Sequence, residues 1–134
     1  PAQDRDERLA SEGQVSANRL VTGLLQLKDE GNAALKAGRA RESVEIYSRA
    51  LSRLSELSQE LVEGLESSSL KAALLANRSQ ARLNLKQWDE ALADAEASLE
   101  IQPEHAKAQH RRRVALEGVA SLQGQRDRGE ALKA

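Results

Sequence analysis

The chain has 134 residues, with 20 Lys and Arg against 21 Asp and Glu, a net charge of −1, no Cys, two Pro, one Trp, one Tyr and no Phe. That length suits one domain with a real core; the missing Cys excludes disulfides and thiolate metal sites, and the balanced charge gives no overall pull towards nucleic acid. Ala and Leu dominate the apolar fraction, 31% of residues are charged, and no alternating β-branched stretch reads as a strand, so the expected class is all-α.

Residues 1–15 are polar, contain Ser11 and Gly13, and read as a flexible N-terminal arm or a frayed helix. They are charged from the outset and lack a signal-peptide pattern, and no apolar run nears the roughly 18 residues that span a bilayer. A cytoplasmic location without membrane contact is the expectation. Because the chain opens on Pro1 rather than Met, it is expected to be a fragment whose flanking domains lie outside it.

From Ser16 an apolar pattern (Leu20, Val21, Leu24, Leu25, Leu27) starts a first helix that ends near Lys36, with Gly38 placed for a left-handed cap. A second helix is predicted over Arg41–Leu65, with Val44, Tyr47, Leu51, Leu54, Leu57, Leu61 and Leu65 on one stripe. Gly64 and Ser67 to Ser69 punctuate it. A third helix occupies Leu70–Leu85, Lys86-Gln87-Trp88 forms a turn, and a fourth runs Asp89–Ile101 with Asp89 as N-cap and Ala91, Leu92, Ala95 and Leu99 inward. Pro103 ends it. Pro103-Glu104-His105 opens a fifth helix reaching about Leu122, with Val114, Leu116 and Val119 shielding the stack. Gly124 and Gly129 then weaken the pattern, so residues 124–134 read as an irregular or short helical tail to a domain over 16–123.

Helix–turn–helix units invite a search for repeats. On a 34-residue ruler starting at Ala72, Ser79 falls on position eight, Ala91 on twenty, Ser98 on twenty-seven and Pro103 on thirty-two. A unit starting at Leu24 puts Gly31, Tyr47 and Ala50 on positions eight, twenty-four and twenty-seven. A third unit starts at Ala106. Small residues suit these positions because neighbouring helices approach closely there. The first step is 48 residues, not 34, which places a 14-residue insertion in the second helix and its exit loop.

Five side chains stand out against this register. Lys28 and Asn32 are four apart, as are Lys107 and Arg111, so each pair projects from one helix face; Asn77 is the fifth. All can donate hydrogen bonds and none is negative. If their three helices line up, these donors converge on a groove suited to an anion with several carboxylates, which points to a peptide-binding module.

The stretches Leu27-Lys28-Asp29-Glu30-Gly31-Asn32, Tyr47-Ser48-Arg49-Ala50-Leu51, Ala76-Asn77-Arg78-Ser79 and Lys107 to Arg112 together resemble the tetratricopeptide-repeat (TPR) family, specifically its carboxylate-clamp co-chaperone type. The resemblance covers roughly residues 24–120. It implies a superhelix of antiparallel helix pairs, here two full repeats plus a degenerate third unit or long capping helix. The lengthened second helix is similar to immunophilin-type versions. It further implies a module that captures the acidic C-terminal Glu-Glu-Val-Asp tail of heat-shock protein 70 and 90 chaperones. Carried over by position, Lys28, Asn32 and Asn77 grip the terminal α-carboxylate, while Lys107 and Arg111 bind acidic side chains. Leu35 and Asn84, one turn along, are candidate contacts for residues upstream of the tail. Ordering a flexible peptide offsets much of the gain, so micromolar affinity, about −8 kcal/mol, is expected.

Each of these residues alone has a plainer explanation as a solvated helix position. The set is harder to dismiss: five specified identities at fixed registers coincide by chance on the order of once in a hundred thousand. His105 and His110 lack Cys or carboxylate companions for a metal site. Arg111 to Arg113 cannot all face one groove and have no aromatic platform for nucleic acid. Asp89, Glu90, Asp94 and Glu96 read as a solvated acidic face. Ser79 has no neighbouring His to activate it, so no catalytic group, enzyme activity or cofactor is expected. A monomer is expected, and the competing reading is a TPR scaffold in a larger assembly that holds a different acidic or internal peptide.

Overall fold

The computed structural model describes the backbone of residues 2–57 and 67–133 and, within those, the side chains of residues 19–57 and 67–129. Among the described residues there are five helices: α1 (Ala2–Lys36), α2 (Ala40–Glu56), α3 (Ser67–Asn84), α4 (Trp88–Ile101) and α5 (Ala106–Lys133). Neighbours in sequence pack on one another, and α3 also touches both α1 and α5. The helices at odd positions therefore lie side by side, with α2 and α4 behind them.

Two turns repeat the same chemistry 48 residues apart. After α1, Gly38 takes φ +83°, its N–H reaches Leu35 O at 3.1 Å and Arg39 N–H reaches Ala34 O at 2.8 Å. After α3, Lys86 takes φ 61°, its N–H reaches Leu83 O at 3.0 Å and Gln87 N–H reaches Arg82 O at 2.8 Å. Both are Schellman caps, which satisfy the last carbonyls of a helix while reversing the chain. The second places a Lys where glycine is at ease, at a cost of about 1–2 kcal/mol. The third turn is different: His105 Nδ1 accepts the Ala108 N–H at 3.2 Å and so caps α5.

Small residues let the helices approach. Ala50, Ala72, Ala76, Ala81, Ala91, Ala95, Ala108 and Ala115 are fully buried, and so are Ser43, Ser79 and Ser98. Each Ser hydroxyl donates to a carbonyl across a helix pair: Ser43 to Gly31 O (3.1 Å), Ser79 to Ala91 O (2.7 Å) and Ser98 to Ala72 O (2.8 Å). Gly31 and Ser79 share a register, as do Ser43 and Ala91. The hydroxyl has thus changed sides between the repeats without changing its job. One apolar cluster forms around Leu24, Leu27, Ile46, Tyr47, Leu54, Leu70 and Leu74; another joins Leu83, Ala91 and Ala115 with half-buried Trp88, Leu92 and Val114.

Several boundaries differ from expectation. Helix α1 already runs from Ala2, because residues 2–15 hold no helix breaker beyond Gly13, and one interior Gly costs only about 1 kcal/mol. Helix α2 stops at Glu56 rather than Leu65. Leu57 is extended (φ −69°, ψ 146°) and lays its side chain against the first cluster, so core burial ends the helix where the stripe alone would have continued it. Leu61, Gly64 and Leu65, assigned to that stripe and its end, lie outside the described residues. Helix α5 continues through Gly124 and Gly129 to Lys133. The residue before α4 is Gln87 and makes no side-chain cap, so Asp89 sits inside the first turn, where its charge suits the helix dipole. On α5 the inward face is Ala108, Ala115 and Gly118, with Val114 and Val119 half-buried; Leu116 is exposed.

Candidate functional site

The centre of the site is an amide held by a phenol. Gly31 leaves the space that the Tyr47 ring fills: a Cβ on Gly31 would meet Tyr47 Cε1 at 2.5 Å. Tyr47 is fully buried and its hydroxyl donates to Asn32 Oδ1. Asn77 Nδ2 donates to the same oxygen at 3.0 Å, which ties α1 to α3. With Oδ1 engaged twice from within, the Asn32 Nδ2 donors are left for the opposite side. Burial pushes the Tyr47 phenol above its usual pKa, with the neighbouring Ser43 hydroxyl and the Arg111 charge opposing the rise.

Arg111 brings α5 to this cluster. Its Nε donates to Gln80 Oε1 on α3 at 3.3 Å, and Gln80 Nε2 donates to Asn84 Oδ1 at 3.0 Å. Burial lowers the Arg111 pKa, an effect that Tyr47 opposes when it is ionised. Arg111 Nη1 is buried without a hydrogen-bond partner. Arg82 Nε shares that state, and a buried guanidinium donor left unmatched costs free energy.

The remaining predicted residues sit around that centre. Lys28 is half-buried one turn before Asn32, and Lys107 is exposed one turn before Arg111. Leu35 is half-buried and packs on the first apolar cluster, while Asn84 is exposed and occupied by Gln80. Among the described residues the ion pairs are Arg39–Glu42, Arg78–Asp94, Arg82–Asp94 and Arg112–Glu96, so Lys28, Lys107 and Arg111 carry charge that no described carboxylate pairs with. No described group of His, Cys, Asp and Glu could hold a metal ion, and no described helix is long and apolar enough to cross a membrane.

Asp94 is a correction. Read as part of a solvated acidic face, it is only 4% exposed. Arg78 grips it through Nε (2.8 Å) and Nη2 (2.7 Å), Arg82 adds Nη1 at 2.9 Å, and Arg78 Nη1 reaches Ser48 Oγ at 3.1 Å. This cluster joins α2, α3 and α4 behind Asn77. The Arg four residues apart on α3 are a helical-face signal that could have flagged it. His110, next to Arg111 in sequence, is exposed. Gln80 and Tyr47 were not singled out as site residues; their registers, next to Asn77 and opposite Gly31, were the only signal.

No family model matches the chain. Over 85 residues it is 35% identical to sperm-associated antigen 1 of Rattus norvegicus, covering 63% of this chain and 8% of that protein. It is 31% identical over 98 residues to protein unc-45 homolog B of Xenopus laevis (73% of this chain, 9% of that protein). With the ER protein translocation subcomplex subunit sec67 of Schizosaccharomyces pombe it shares 30% identity over 105 residues, 78% of this chain and 54% of that one. The chain thus spans under a tenth of the first two relatives and about half of the third. Among solved structures it is similar to the second TPR of Spaghetti (RPAP3) bound to the HSP90 peptide SRMEEVD, with a TM-score of 0.64 and 23% identity over 90% of this chain and 93% of that one. The fold is TPR-like: helix pairs with no strand among the described residues.

Proposed function

We propose that this TPR-like domain is a peptide-binding module whose groove along α1, α3 and α5 takes the acidic C-terminus of a heat-shock protein 90 or 70 chaperone. Lys28, Asn32 and Asn77 receive the terminal α-carboxylate; Lys107 and Arg111 receive acidic side chains. The observation that carries this reading is that Asn77 meets Asn32 across α1 and α3 and Arg111 reaches α3 at Gln80, while no described carboxylate pairs with Lys28, Lys107 or Arg111. Two amides give directional donors where a main chain ends, and Lys and Arg supply charge. The solved neighbour of the same fold, which holds an HSP90 peptide, supports the choice of ligand. Cytoplasmic residence and a co-chaperone role for the parent protein belong to the same proposal.

The test is a calorimetric titration with a synthetic peptide ending in Glu-Glu-Val-Asp. Micromolar binding is expected, with loss on amidation of the peptide's C-terminus and loss in a Lys107→Glu variant. Equal binding of the free and amidated peptides would overturn the assignment and favour an internal segment as ligand.

A further inference from the structure

Gln80 is the hydrogen-bond partner of Arg111 on α3. Its side chain is half-buried on α3, with Oε1 3.3 Å from Arg111 Nε and Nε2 3.0 Å from Asn84 Oδ1. The Asn84 contact fixes which end of the carboxamide faces the guanidinium, because only the oxygen can accept from Arg111. We propose that Gln80 is a positioning and specificity-determining residue of this groove: its uncharged amide holds Arg111 by Nε and leaves the guanidinium charge unneutralised for a peptide carboxylate.

This inference rests on the groove reading above and adds its selectivity. A guanidinium can grip a carboxylate through Nε and one Nη, or through both Nη atoms. With Nε taken by Gln80 and Nη1 buried, neither paired mode is open, and a carboxylate meets the guanidinium at Nη2. The choice of Gln over Glu matters because the two have the same shape. A carboxylate here would satisfy Arg111 from within and compete with the ligand, whereas a neutral acceptor orients the cation without cancelling it. Lysine could not substitute at 111, since its three donors sit on one nitrogen and lack the fixed fork that serves Gln80 and a ligand on separate atoms.

The experiment measures the unaltered chain, Gln80→Glu and Gln80→Leu against two synthetic peptides, one ending in Glu-Glu-Val-Asp and one ending in Gln-Gln-Val-Asp, alongside each protein's melting temperature. Gln80→Glu should lose about tenfold or more in affinity for the acidic peptide while its melting temperature stays level or rises, because the new ion pair forms within the fold. Its preference for Glu-Glu over Gln-Gln should collapse towards one. Gln80→Leu, which frees Arg111 rather than neutralising it, should lose about three- to tenfold. A merely structural role for Gln80 would lower stability and affinity together. Unchanged affinity and preference in Gln80→Glu would overturn this inference and leave the groove reading standing; absence of binding by the unaltered chain would overturn both.

Discussion

Replacing Gly31 by Ala sets two effects of opposite sign against each other. Within α1, Ala is favoured over Gly by about 1 kcal/mol on propensity alone. The new Cβ, however, would stand 2.5 Å from Tyr47 Cε1, 2.8 Å from Cδ1 and 3.0 Å from Cζ, where carbon atoms rest at about 3.5–4.0 Å. Tyr47 is fully buried and tied to Asn32, so the ring has nowhere to go without moving its neighbours. Overpacking of this kind costs about 1–3 kcal/mol, and a ring this enclosed belongs in the upper half of that range. A net loss of about 1–2 kcal/mol follows, or several degrees in melting temperature. The control lies in the same helix: a Cβ on Gly23 meets nothing within 4 Å, so Gly23→Ala should gain about 0.5–1 kcal/mol. Thermal and urea denaturation of the two variants beside the unaltered chain provides the assay. Equal stabilisation by both substitutions would refute the reasoning, since propensity alone would then govern Gly31. Because Tyr47 orients Asn32, Gly31→Ala should also weaken the proposed peptide binding.

Asp94→Asn should cost about 3 kcal/mol in urea denaturation, since it leaves Arg78 and Arg82 against a neutral partner in a site that is 4% exposed. Tyr47→Phe removes the donor to Asn32 Oδ1 and should lower stability by about 1 kcal/mol, with a severalfold loss of affinity read by peptide titration. The Tyr47 phenol has its folded pKa raised, so its stabilising effect is full below the free-tyrosine value of about 10 and is lost as pH rises through the folded value. Denaturation midpoints should therefore fall more steeply above pH 10 in the unaltered chain than in Tyr47→Phe. Lys86→Gly should stabilise by up to about 1 kcal/mol by relieving the left-handed residue at the α3 cap, which a shift in urea midpoint would report.

Much of the architecture was written locally. The 48-residue step between repeats could be read from Gly31 and Ala50 against Ser79 and Ser98, because close helix packing admits only small side chains at those registers. The cap at Gly38 was equally legible, as few other residues rest at φ +83°. Its counterpart at Lys86 was visible only as a turn, since nothing in Lys announces a left-handed backbone. Helix α2 shows where periodicity misleads: Leu57 continues the stripe in sequence yet leaves the helix to bury against the first core cluster. In α5, Gly124 and Gly129 suggested a break that the helix does not make.

The candidate site divides along the same line. Which donors share a helix face follows from 3.6 residues per turn, so Lys28 with Asn32 and Lys107 with Arg111 were fixed by spacing. Partnership between helices has no such rule. That Asn32 meets Asn77 and Tyr47, that Arg111 leans on Gln80, and that Asp94 is buried under two arginines depended on how helices α1 to α5 come to lie together. The amino-acid order determined the helices, their small-residue seams and the candidate donors, because those are short-range properties of the backbone. Only the packed structure decided which charges are neutralised within the fold and which are kept open, because burial and pairing arise between segments far apart in the chain.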